Sequence, residues 1–293
     1  MAHLDLHAAV AMLEGAFRDV PDAALASPWT WGPHEEEGVR FGILRTAEEL
    51  RSLAAHTVSL RTSAGDPPTE AQRILSEHHR GFRQLEGILV RLDDELADRP
   101  PQENEWSVRQ TVSHMARTET GFHVAVTHGL RCARAGDPPT EIPEEAWDEI
   151  IGLPYVELEG ILGGPLPALF EYFSRAESRT LSDFADVTED ELGATSYFWE
   201  PEPMSVRHRL LRFDSHVRQH TVQIEKVLDA LGRPPTEADR LLRVVHDALG
   251  EAEAASLGSH VEHAASVELA ADIERRASDL VEAMAAAHGG NPN

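Results

Sequence analysis

The segment from Met204 to Gly232, MSVRHRLLRFDSHVRQHTVQIEKVLDALG, decides the fold. Its apolar residues Val206, Leu210, Leu211, Val217, Ile224, Val227, Leu228 and Leu231 recur at helical spacing. Ser205 stands where an N-cap belongs and Gly232 where the first residue beyond a helix belongs, so the stretch is expected to form one helix. Inside it His216 and His220 are four residues apart, which places both imidazoles on one face, about one turn apart, able to close on a single ion. Two ligands alone do not make a site. A third candidate lies in WSVRQTVSHMARTE, residues 106–119, where Ser107 and Gln110 form a capping-box pattern and His114 falls two turns into the helix. The pair and the single histidine are expected to meet across a bundle core.

Helical periodicity runs through the rest of the chain, with no run of alternating β-branched residues bounded by turns, so the fold class is all-α. Helices are predicted from Leu4 to Asp19, Gly38 to Ser63, Thr69 to Ala97, Ser107 to Ala135, Leu166 to Asp186, Ser205 to Leu231, Thr236 to Leu257 and Val261 to Ala286. The breaks are chemically explicit. GDPPTE at Gly65, GDPPTE at Gly136 and GRPPTE at Gly232 each place a glycine stop, two prolines and a threonine able to cap the next segment. The segment from Gly136 to Pro165, rich in Pro, Gly and Glu, reads as the long crossover of a bundle.

The recurrence of that signature points to an internal repeat. Shifted by 167 residues, the stretch from Phe17 to Leu75 aligns without a gap with that from Phe184 to Leu242. Matches include Phe17 with Phe184, Asp19 with Asp186, Val39 with Val206, Arg45 with Arg212, Arg51 with Arg218, and the Pro-Pro-Thr-Glu-Ala block. In the first copy Glu49 and Leu53 occupy the positions of His216 and His220, so that copy lacks the metal pair. The expected organisation is an N-terminal helical hairpin over residues 1–66, a metal-bearing four-helix bundle over 67–232 and a C-terminal hairpin over 233–293. The two outer hairpins could form a second, degenerate bundle or wrap around the first.

The 293 residues include 41% hydrophobic ones, enough for a proper core. With 51 acidic against 26 basic residues the net charge is −25, and no basic cluster offsets it. Phosphate backbones and anionic lipid headgroups are repelled by such a surface, so neither nucleic acid nor membrane is expected as a partner. Cys132 is the single cysteine, which rules out an internal disulfide and fits a reducing, cytoplasmic setting. The N-terminal MAHLDLHAAVAMLEGAF carries Asp5 and Glu14 and no basic leader, and reads as an amphipathic helix, not a signal peptide. Motifs for a nucleophilic serine, a zinc-protease helix or a phosphate-binding loop are absent, and Lys226 is the only lysine, so catalytic residues stay unassigned.

A W-S-V-R-x-x-x-x-H helix start followed by H-x-x-x-H and Q-I-x-x-x-L is similar to the pattern of the DinB-like superfamily. This is a group of metal-binding four-helix bundles that includes YfiT-type proteins and mycothiol- or bacillithiol-dependent S-transferases. The residues that carry the resemblance are Trp106, Ser107, Val108, Arg109 and His114, then His216, His220, Gln223, Ile224 and Leu228. It implies a divalent metal on His114, His216 and His220, with zinc the first expectation and nickel or iron as alternatives. It further implies thiol S-transfer, isomerisation or hydrolysis of a small molecule, with a low-molecular-weight thiol such as mycothiol as co-substrate. Three imidazoles would leave open positions on the ion, as catalytic sites do. The competing reading is a non-catalytic binding or scaffold protein with a structural or vestigial metal. The sequence does not fix the oligomeric state; a dimer is one option.

Of the sixteen histidines, His78, His79, His123 and His128 are expected to be solvated or partly buried, and His208 to stand at the site's mouth at most. Asp214 reads as a solvated carboxylate. The five tryptophans, Trp29, Trp31, Trp106, Trp147 and Trp199, read as core anchors near hairpin turns, with a pocket rim as the alternative for Trp106 and Trp199, which each precede a helix start.

Overall fold

The computed structural model describes residues 5–18, 20–31, 38–259 and 264–289. Leu4, Asp19 and Val261, which bound two of the predicted helices, lie outside them, as does the Asp19 end of one repeat match. Among the described residues there are eleven α-helices and one two-stranded sheet, so the chain is all-α. In order, the helices are α1 (Leu6–Ala16), α2 (Gly38–Ser63), α3 (Glu70–Leu89), α4 (Asp94–Asp98), α5 (Val108–Ala135), α6 (Glu144–Ile151), α7 (Tyr155–Leu162), α8 (Leu166–Phe184), α9 (Val206–Ala230), α10 (Glu237–Ala254) and α11 (Ala264–Gly289).

Two compact units result. The first takes Met1–Pro67, Phe82–Arg91 and Pro235–Asn293; the second takes Pro68–Gly81 and Leu92–Pro234. Helix α3 contributes residues to both.

In the first unit α2 packs along α10, and α1 along α11. Leu13, Phe17, Leu25, Ile43, Leu50, Leu249 and Leu280 are fully buried at their centre. Two buried arginines inside this unit are held by hydrogen bonds. Arg61 has no exposed surface and donates to the carbonyls of Asp66, Ala255 and Leu257 at 3.1, 3.1 and 3.0 Å. Arg276 donates to Thr46 Oγ1 at 2.8 Å and to Glu49 at 2.6 Å, and Glu49 also accepts from Arg45 at 2.9 Å.

In the second unit α5 runs against both α8 and α9. Strands β1 (Thr195–Ser196) and β2 (Met204–Ser205) pair antiparallel just before α9. The buried Arg209 holds this hairpin to α9, donating to Glu200 at 2.8 Å and to the Ser196 carbonyl at 3.2 Å. Gly121 on α5 admits the loop between the strands: a Cβ there would lie 2.5 Å from the ring of Phe198.

Helix boundaries follow the predicted caps in most places. Ser107 and Gln110 close a reciprocal capping box, Ser205 caps α9 through the N–H of His208, and Gly136 and Gly232 take left-handed φ of 77° and 74°. Thr69 and Thr236 cap α3 and α10. Two expectations are corrected. The predicted helix from Thr69 to Ala97 stops at Leu89, because Asp93 accepts from the N–H of Leu96 at 2.7 Å and starts the separate α4. The crossover from Gly136 to Pro165 holds two short helices, α6 and α7, each entered through a proline N-cap. Thr140 caps neither of these helices; its hydroxyl meets His128 Nε2 at 3.0 Å.

Candidate metal centre

Helix α5 brings His114, and α9 brings His216 and His220, to one place in the second unit. His216 Nε2 and His114 Nε2 are 3.3 Å apart, and one ligand atom from each of the three residues lies within 4.8 Å of the others. Ring centroids stand 5.3 Å apart for His114 and His216, 4.7 Å for His114 and His220, and 4.5 Å for His216 and His220. Two imidazole nitrogens on one zinc, each at about 2.0–2.1 Å, stand roughly 3–4 Å apart, so the triad is within about an ångström of a coordinating arrangement. The three residues can therefore hold a metal ion, and among the described residues no other such group forms.

The electrostatics suit that role, because a ligand imidazole has to be neutral. Burial pushes His216 down to about 3, with the neighbouring His220 and His114 adding to the effect. His114 is lowered by burial and by His220; His220 is lowered by burial, against the hydrogen bond to Gln223. That bond, His220 Nδ1 to Gln223 Oε1 at 2.8 Å, fixes the tautomer: the amide oxygen only accepts, so Nδ1 carries the proton and Nε2 keeps its lone pair.

Behind His216 lies a buried polar group that the sequence pattern alone did not single out. Glu119 is 3% exposed, and its two oxygens approach His216 Nδ1 at 3.6 Å and His78 Nε2 at 3.7 Å, beyond hydrogen-bond length. Neither oxygen has a hydrogen-bond partner, nor does either ring nitrogen of His78. Burial raises the Glu119 carboxyl well above its ordinary range, and the Glu177 carboxylate raises it further. Burial lowers His78 to about 4. Next to them His79 meets Glu177 at 2.7 Å. A carboxyl oxygen facing the distal nitrogen of a ligand histidine is placed to orient the ring.

These residues had a signal in the sequence. Val112, Met115, Glu119, Phe122 and Val126 form the buried stripe of α5, and Leu75, His78, Phe82 and Leu85 that of α3. An acid and an imidazole occupying core positions of apolar stripes mark a buried polar site. Accordingly His78, His79 and His123 are buried, at 0%, 4% and 5% exposure, where solvated or partly buried side chains were expected. His208 is exposed, and Asp214 accepts from Arg218 at 2.6 Å. Cys132 is half-buried, 3.7 Å from His128 Nε2.

At two positions the core-anchor reading gives way to the rim alternative. Trp106 and Trp199 are 43% and 56% exposed and form part of an open aromatic margin. The Trp106 ring stands 5.0 Å from His114, and Trp199 packs with tilted rings against Phe198 at 4.5 Å and Phe122 at 5.4 Å, whose ring stands 5.6 Å from His216. Arg212 depresses both His216 and His220 by its charge; it bonds Ser215 and has no carboxylate partner among the described residues. Arg109, in the helix-start motif, is structural: it grips Asp98 and Asp94 and donates to the Gly164 carbonyl at 2.6 Å.

No curated protein and no solved structure matches the chain. A family model does match, over residues 77–224, half the chain and the whole span from His78 through both halves of the triad. The chain belongs to the DinB superfamily.

Proposed function

We propose that the protein is a metal-dependent enzyme of the DinB type that carries out S-transfer, isomerisation or hydrolysis on a small molecule. The reading rests on the convergence of three neutral imidazoles from α5 and α9 within 4.8 Å. Three nitrogen donors suit a first-row divalent ion, zinc first, with nickel or iron as alternatives. When bound, such an ion would lower the pKa of water or a thiol and supply the nucleophile that the side chains lack. The chain's own residues then have defined tasks. Gln223 holds His220 in one tautomer, and Glu119 sits where it can orient His216. Trp106 and Trp199 offer flat apolar surface to an electrophile. Arg212, which bonds Ser215 and has no carboxylate partner among the described residues, offers its charge to an anionic group of the substrate.

On this proposal the partner is a small molecule. The charge of −25 argues against nucleic acid and membrane surfaces, and no helix among the described residues is long and apolar enough to cross a membrane. A cytoplasmic setting fits the single half-buried cysteine. The N-terminal hairpin is taken as a degenerate copy of the 184–232 region. In support, the helix ends at Ser63 and Ala230, and the helix starts at Glu70 and Glu237, are each 167 residues apart.

The test is a turnover screen with zinc-loaded and chelator-stripped protein, pairing thiols with aromatic and acyl electrophiles. Thiol consumption that appears only with metal and falls in Arg212→Ala supports the proposal. Equal rates with and without metal would leave the alternative of a non-catalytic scaffold with a vestigial site.

A further inference from the structure

The second unit contains a cavity of about 330 Å³ between α5, α8 and the α6–α7 crossover. Val124, Ile151, Leu153, Ile161 and Ala176 supply most of its apolar wall. Protein interiors rarely keep a space much larger than a water molecule, because unfilled apolar volume loses packing contacts. This one is roughly twice the size of an engineered cavity that takes up benzene. It also falls within the range of small-molecule pockets.

Its polar wall is short of partners. Thr120 gives its proton to the Ala116 carbonyl at 2.7 Å, so Tyr172, 2.9 Å from Thr120 Oγ1, must donate there, leaving its own oxygen free to accept. His123 is 5% exposed and uses Nδ1 on Thr180 at 3.1 Å. Its Nε2 has no hydrogen-bond partner, lying 3.3 Å from Asp183 Oδ2 without the required geometry. The arginines at the wall are engaged. Arg175 bonds Glu171, and Arg179 bonds the Ile151 carbonyl and Asp183, so neither is free to hold an anion.

We infer that this cavity is a binding site for a neutral aromatic or alicyclic alcohol, whose ring system fills the apolar space and whose hydroxyl bonds Tyr172 and His123. Two independent features carry the inference: an apolar volume built into the fold, and polar groups on its wall with unused capacity. The crossover helices form one wall of the chamber. None of the three triad histidines lines it; Glu119, which faces His216 with one oxygen, stands in the wall between the cavity and the triad.

The probe is 2-naphthol, titrated calorimetrically into the full chain with naphthalene for comparison, both before and after chelation. Saturable one-to-one binding of 2-naphthol, tighter than naphthalene and unchanged by chelation, is expected. Ala176→Phe, which fills the space from α8, should weaken binding at least tenfold. Leu153→Trp, which fills it from the crossover loop, should do the same and serves if the first variant does not fold. Tyr172→Phe should narrow the difference between 2-naphthol and naphthalene. Absence of saturable binding to the wild type, or wild-type affinity in a folded filling variant, would overturn the assignment. Binding that is lost on chelation would place the probe at the metal centre and overturn it equally.

Discussion

Helices α2 and α9 carry matching sequence at a spacing of 167 residues, yet they use the matching positions in opposite ways. On α9 the position holds His216, a buried imidazole kept neutral with its Nε2 turned toward His114. On α2 it holds Glu49, whose oxygens are taken by Arg45 and Arg276. One turn on, His220 is replaced by Leu53. A carboxylate saturated by two guanidinium groups has no lone pairs directed at a common point, whereas three neutral imidazoles do. The comparison teaches that one helical frame can satisfy its buried polar positions either internally, by charge pairing, or by a set of donors that an ion completes.

If the Glu49 cluster is a self-sufficient ion-pair network, Arg276→Ala should strip a buried charge from it and leave Thr46 and Glu49 under-bonded. Chemical denaturation should then show a loss of about 3 kcal/mol, as for a broken buried pair. Metal content should not change. A loss confined to the surface-pair range, below about 1 kcal/mol, would break the comparison from the α2 side.

His123 in the second unit and His246 in the first should contribute to stability with opposite dependence on pH. Burial, with Arg179 adding, holds His123 down to about 4, below its unfolded value near 6.5. The unfolded state therefore binds the extra proton, and this group's contribution is full above about pH 6.5 and lost as pH falls toward 4. His246 in the first unit is the reverse. Burial pulls it down, but Glu14 and Glu86 outweigh that and raise it. Its contribution is present below the unfolded value and lost as pH rises through the folded one. In metal-free protein, His123→Phe should flatten the acid limb of stability against pH by on the order of 3 kcal/mol, while His246→Phe should lower stability mainly in the acid range. Parallel pH profiles for the two variants would contradict this.

A smaller effect is expected at Glu119. Glu119→Gln keeps the shape of the side chain but weakens its pull on His216 Nδ1, and zinc affinity should fall about 10- to 100-fold, as for other residues that orient a ligand ring. Equilibrium competition with a chelator measures it, and unchanged affinity would remove Glu119 from the account. The smallest effect is at the helix start: Ser107→Ala should cost about 1 kcal/mol of stability and leave zinc affinity nearly intact, checked by the same denaturation and competition series.

Much of the fold and the triad was legible in the sequence, because caps and periodicity are local. Ser107, Gln110, Ser205 and Gly232 end helices where their chemistry says they should. His216 and His220 share a helix, so a spacing of four already determined their mutual placement. What escaped depends on a single local cap or on packing between helices. Asp93 divides the predicted helix from Thr69 to Ala97 through one side-chain bond, against an unbroken helical periodicity. The apolar stripes of α5 and α3 mark Glu119 and His78 as core positions, but only the packing of the helices shows that both lie unsatisfied beside His216. Trp106 and Trp199 were read by bulk, and bulk alone does not tell a buried anchor from an exposed rim.

The most direct measurement is metal content by elemental analysis of protein purified without a metal-affinity column, for the wild type and the His216→Ala, His220→Ala double variant. The account predicts close to one divalent ion per wild-type chain, almost none in the variant, and helical content preserved in both. Metal in the variant at the wild-type level would contradict it, and with it the functional reading that depends on the triad.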